Sequence, residues 1–166
     1  MRPLWCCWTM ATRSNRRPEA APALLAALAL SACSQDAPKG VDKAVLDDAV
    51  SRAVGDPNTC VLIAEQASAK VVYRYNSHSA CGRALAACDA PGTRTAQDLV
   101  EMTARDGKTR QLSCNTTSDA SRGVGWASGV IPGKGLAYAA VMEGERAFPG
   151  RMMADRLKGA FRKAGL

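Results

Sequence analysis

The sequence predicts an α+β fold: a five-stranded, mostly antiparallel sheet covered by N- and C-terminal helices, in the order helix, two strands, helix, three strands, helix. Three observations predict it. Apolar residues recur at helical spacing in three separated stretches, around 41–54, 95–107 and 150–164. Five short strand-like runs lie between them, separated by turn-forming segments. The 166 residues, 47 % hydrophobic and 22 % charged, suffice for one domain with tails and are too apolar for wholesale disorder.

Val41, Val45, Ala49, Val50, Ala53 and Val54 share one face of a helix over 41–54. Gly55, Asp56, Pro57 and Asn58 end it. Residues 60–66 read as a strand, and Ala67-Ser68-Ala69 as a hairpin connection. In 70–75 the side chains alternate, with Val71, Tyr73 and Tyr75 on one face and Val72 and Arg74 on the other. Residues 76–94 read as irregular, with a short helical turn at 84–88. Thr95 and Asp98 form the signature of an N-cap with an acidic third residue. Ala96, Leu99, Val100, Thr103 and Ala104 make the helix face that follows, closed by Asp106-Gly107. Strands are predicted over 110–114, 124–128 and 136–142, with turn-rich 115–121 and a loop over 129–135 between them. The run 136–142 is nearly all apolar, as a central strand requires. Pro149-Gly150 starts a last helix whose buried face is Met153, Leu157, Ala160, Phe161 and Ala164.

The N-terminal quarter has a different logic. Arg13, Arg16 and Arg17 precede an apolar run of 11 residues, 20–30, followed by Leu30-Ser31-Ala32-Cys33. A basic start, a short apolar middle and small residues before a cut make a secretory leader. The run is too short for a stable span, and no apolar run in the chain reaches the roughly 18 residues of an ordinary membrane-spanning helix. Leu30-Ser31-Ala32-Cys33 resembles the lipobox of bacterial lipoproteins. The resemblance implies cleavage before Cys33, diacylation of its sulfur and usually acylation of the new amino group. Ser34, rather than Asp, implies the outer membrane by the sorting pattern of Gram-negative lipoproteins. Trp5, Cys6, Cys7 and Trp8 precede the basic segment and Glu19 adjoins the apolar run, both unusual for such a leader; Met10 is the expected true start.

The expected organisation is therefore a signal peptide over 1–32, a lipidated tether over 33–40 and a single α+β domain over 41–166. Removing the leader lowers the formal net charge from +7 to +4, because Arg2, Arg13, Arg16 and Arg17 leave with Glu19. Trp126 stays as the only tryptophan. Much of the basic balance is export signal, so nucleic acid is not an expected partner.

The four remaining cysteines, Cys60, Cys81, Cys88 and Cys114, read as two disulfides in an exported chain. Three pairings are open; Cys81–Cys88 would close a short loop and leave Cys60–Cys114. No metal site is expected, since His78, Cys81 and Cys88 lack the compact zinc spacing. No cofactor is expected either. The stretch Gly129 to Gly135 is one residue short of a phosphate loop and precedes a strand, so it reads as a hairpin loop. Arg151, Arg156, Lys158, Arg162 and Lys163 give the last helix a basic face that suits its dipole and could also touch anionic lipid or cell-wall polymer.

Cys60-Val61-Leu62-Ile63-Ala64-Glu65-Gln66 followed by Ala69-Lys70-Val71-Val72-Tyr73-Arg74-Tyr75-Asn76 resembles the first hairpin of penicillin-binding transpeptidases and serine β-lactamases. Later, Ser113-Cys114-Asn115-Thr116-Thr117, then Val124-Gly125-Trp126-Ala127-Ser128-Gly129, an apolar strand and a helix follow the order of that family's closing strands. The resemblance covers about 60–166 and implies a Cys81–Cys114 pairing. Its chemistry does not carry over. Where the family has Ser-x-x-Lys, this chain offers Ser77, Ser79 and Cys81, then Arg83, and an arginine stays protonated. Ser113-Cys114-Asn115 stands in place of Lys-Thr-Gly, and only about 35 residues replace the family's helical domain. Ser77, Ser79 and Ser113 are the candidate nucleophiles of an unorthodox enzyme. His78 lies between two serines, but neighbours on an extended chain point apart. The expectation is a lipid-anchored envelope protein of binding or structural role rather than an enzyme, facing the periplasm. Its expected partners are membrane lipid through Cys33 and an envelope protein or cell-wall component.

Overall fold

The computed structural model describes residues 37–166. The leader, Cys33 and the first tether residues lie outside them. The elements are α1 (Lys43–Val54), β1 (Thr59–Glu65), β2 (Val71–Tyr75), α2 (His78–Cys81), β3 (Leu85–Ala86), β4 (Thr93–Arg94), α3 (Ala96–Asp106), β5 (Arg110–Asn115), β6 (Gly123–Ile131), β7 (Leu136–Gly144) and α4 (Gly150–Lys163).

Five strands form one antiparallel sheet in the order β2-β1-β7-β6-β5. This is the predicted α+β class. β7 is central, pairs with β1 and β6, and is buried along its whole length. The period of two splits each strand between two cores. Val61, Ile63, Tyr73, Tyr138, Ala140 and Met142 face α1 and α4. Cys60, Leu62, Trp126, Ala137, Ala139 and Val141 face α3. The terminal helices therefore share one face, as the sequence implies, and α3 covers the other.

Local chemistry sets the helix ends. Asp42 accepts from Ala44 and Val45 at the start of α1. Thr95 and Asp98 form the predicted capping box, and Gly107 closes α3 at φ 67°. Pro149 gives α4 no side-chain cap. Ser113 Oγ on β5 accepts from Gly150 N at 2.9 Å instead, so the helix is capped from a neighbouring strand.

The segment expected to be irregular differs in detail. Residues 84–88 form no helical turn; Leu85 and Ala86 pair with Arg94 and Thr93 as a small second sheet. The reason is a competing acceptor role. The Ala86 carbonyl accepts from Trp126 Nε1 at 2.8 Å, while Leu85 and Ala86 pack onto the α3-side core. Ser77 Oγ accepts from Ala80 N and nucleates α2, a turn not foreseen. The loop expected over 129–135 is shorter, because Gly129, Val130 and Ile131 still pair with β7. The tight turn is confined to 132–135, with Gly133 and Gly135 at positive φ.

Two glycines test the packing. A Cβ on Gly125 would stand 2.0 Å from the Phe148 carbonyl oxygen, where the chain entering α4 crosses β6. Gly159 is helical and meets nothing within 4 Å. Urea denaturation should find Gly125→Ala less stable by about 2–3 kcal/mol. Gly159→Ala should be more stable by about 0.5–1 kcal/mol.

Candidate functional site

The residues singled out by sequence are not brought together. Ser77 Oγ is used as the α2 cap at 3.1 Å from Ala80 N. Ser79 is exposed on α2. His78 is exposed and its ring meets the Arg74 guanidinium, with Nε2 2.9 Å from Nη1. Beside an arginine it can only accept. Ser113 lies on edge strand β5, its hydroxyl engaged with Gly150 N. α2 packs on β1, which β7 and β6 separate from β5. Three inter-strand spacings amount to about 14 Å, far beyond the reach of a nucleophile and its base. A groove of about 300 Å³ does run beside Ser113 and Asn115, under Phe148 and Pro149. None of its lining residues is a carboxylate, an imidazole or an amine.

The four cysteines pair as Cys60–Cys81 and Cys88–Cys114, 21 and 26 residues apart. This is neither the short-loop pairing nor the Cys81–Cys114 bridge implied by the transpeptidase resemblance. Cys60 and Leu62 alternate toward the α3 side, which places the Cys60 sulfur under α2. Cys114 points the same way from β5 and meets Cys88. Cys88 has φ 66°, an uncommon conformation for a residue with a Cβ, and the bridge holds it there. With both bridges formed, neither cysteine of the His78 group is a thiolate ligand. Among the described residues no cluster of three His, Cys, Asp or Glu is placed to hold a metal ion.

A charged cluster missed by sequence reading sits at one end of the sheet. Glu143, at 7 % exposure, projects from the end of β7. Its Oε2 accepts from Arg83 Nη2 at 2.8 Å. Its Oε1 accepts from Arg122 Nη2 at 2.9 Å and Nε at 3.2 Å. Arg83 follows α2 and Arg122 precedes β6, so one carboxylate joins three segments. Burial alone would push the Glu143 carboxyl up; the hydrogen bonds from Arg83 and Arg122 outweigh it and hold the pKa below the usual range. Glu143 is thus ionised at neutral pH, with no proton to donate. Both arginines are about 40 % exposed on their outer sides. A cleft of about 210 Å³ opens beside Arg122 and Glu143, lined also by Asp56, Asn58, Glu145 and Arg146. The arrangement serves as a clamp rather than an acid–base site. The visible signal was an acidic residue ending an apolar strand, since a buried charge requires partners.

No family model matches this chain, and neither does any curated protein or solved structure.

The clamp has a pH signature. Its stabilisation is complete above the unfolded carboxyl value, about 4.3, and is lost as pH falls through the lower folded value. Glu143→Gln should cost about 1–2 kcal/mol at pH 7, a figure reduced by the solvent exposure of both arginines. It should also flatten the loss of stability below pH ~4, measured by urea unfolding across pH.

Proposed function

We propose that this chain is an exported, lipid-anchored envelope protein whose periplasm-facing α+β domain acts by binding rather than by catalysis. The observation that carries the reading is the cysteine arrangement. All four cysteines after residue 33 are used in two disulfides, as suits an oxidising compartment. Cys33 ends the lipobox-like Leu30-Ser31-Ala32-Cys33. Among the described residues no helix is long and apolar enough to cross a membrane. On this reading the anchor is acylated Cys33, where two or three acyl chains give stable attachment. Ser34 favours the outer membrane by the same resemblance.

A non-catalytic role is supported by the use of the candidate hydroxyls. Ser77 caps α2 and Ser113 caps α4, roles that hold the fold. What supports the transpeptidase resemblance is element order, with the hairpin β1–β2 ahead of β5, β6, β7 and α4. On this reading the domain keeps that order of elements without the Ser-x-x-Lys chemistry.

Intact-mass measurement of the protein from membranes should show the acyl adduct, and Cys33→Ser should abolish it. An unchanged mass in the variant overturns the anchor. Alkylation should find the four domain cysteines only after reduction, and non-reduced peptide mapping should link residue 60 to 81 and 88 to 114. Covalent labelling of Ser77, Ser79 or Ser113 by a β-lactam or fluorophosphonate would overturn the non-catalytic role.

A further inference from the structure

We propose that the groove between α1 and α4 is the face this domain lays on an anionic bilayer, with Arg52, Arg156 and Lys163 taking phospholipid phosphates. This rests on the lipid-anchor reading and assigns a surface to it.

The groove has a volume of about 270 Å³. Its floor is small, made by Ala49, Ala53, Gly159 and Ala160, so the two helices approach closely. Its rim is Arg52, Arg156 and Lys163, and no acidic side chain lines it. Arg156 is held in place: it stacks over Phe148 at 4.3 Å and donates to the Ala53 carbonyl at 3.2 Å. Arg52 pairs with Asp48 at 2.8 Å, but both are mostly exposed, so that pair is weak. Lys163 joins no ion pair among the described residues.

Two more observations fit a bilayer rather than a free anion. Val45 and Met152 are the exposed large hydrophobics among the described residues. Each lies one helical turn before a groove residue, Val45 before Ala49 and Met152 before Arg156. Cations flanked by exposed apolar side chains are the composition of an interfacial surface. The position of Ala37 agrees with this. Ala37 packs against the core beneath α1 and α4. Cys33 is four residues earlier, a span of at most ~14 Å. Even at full extension that is under two screening lengths of roughly 8 Å at physiological salt, and any slack in the tether shortens it. An acylated Cys33 thus keeps this layer near the headgroups.

The test uses the processed protein reconstituted in vesicles. Intact mass shows whether Cys33 is acylated and so tests the anchor separately. Vesicles of phosphatidylglycerol with phosphatidylethanolamine are compared with phosphatidylcholine alone. An amine-reactive reagent compares Lys163 with Lys108, which follows α3 on the other side of the sheet. The expected result is severalfold lower labelling of Lys163 in the anionic vesicles alone, reversed at about 1 M salt, where screening acts within ~3 Å. Labelling of Lys108 should not change. Arg52→Gln with Arg156→Gln should weaken docking roughly 30-fold, and the exposed Arg52→Gln alone about fivefold. Equal Lys163 labelling in both vesicles, or equal protection of Lys108, overturns the proposal. Protection by cell-wall polymer but not by vesicles overturns the bilayer as occupant. If the protein carries no acyl chain, vesicles added to it still decide the matter: protected Lys163 supports the groove, and unprotected Lys163 overturns it.

Discussion

The fold depends on covering the second face of its sheet. One face receives two long helices, α1 and α4. The other receives α3, whose 11 residues reach about 16 Å, and the single turn α2. Trp126, Leu112 and Val124 extend that face toward β5 and need a further cover. The segment between α2 and α3 supplies it with two strands of two residues each. Such short pieces cannot hold a position alone. The disulfides fix the start and the middle of the segment, Cys81 to β1 and Cys88 to edge strand β5. Each bridge removes about 3 kcal/mol of loop entropy from the unfolded chain in the entropic account. The Trp126 indole then finds its hydrogen-bond partner in the roof itself, at Ala86.

Polar groups that look chemical in the sequence have become joints between layers. Ser113 starts α4, and Ser77 starts α2. Thr103 donates to Ser128 at 2.8 Å, both fully buried, and ties α3 to β6. Tyr73 donates to Asp47 at 3.0 Å and ties β2 to α1; burial first, then this bond, raises its pKa. A buried hydroxyl needs such a partner, so each pair also fixes the seating of a helix on the sheet. Glu143 with Arg83 and Arg122 does the same for the sheet end, using charge.

Much of the fold was legible because its signals are local. The box at Thr95 and Asp98, the alternation in 70–75 and the apolar run in 136–142 each act within a few residues, and each element is present. The apolar faces of the first and last helices also indicated that they share a side. The 84–88 segment was misread because its conformation is decided by Trp126, forty residues away. The disulfide pairing was open for the same reason: it follows from which side of the sheet Cys60 and Cys114 face, a property of register. The Glu143 cluster draws its cations from two distant segments, so only the acid was visible.

The sheet order sets when this chain can become a domain. Strands β1 and β7 are neighbours in space, yet Thr59 pairs with Met142, half the chain later. Until β7 exists, the hairpin β1–β2 and the strands β5–β6 are two separate ribbons with no shared strand. Pairings this distant close late and slowly. On the proposed export reading, the chain stays threadable until about its last thirty residues, β7 and α4, arrive. The bridge between Cys60 and Cys81 can form first, since both belong to the early ribbon and its following turn. The last strand and helix then close the sheet.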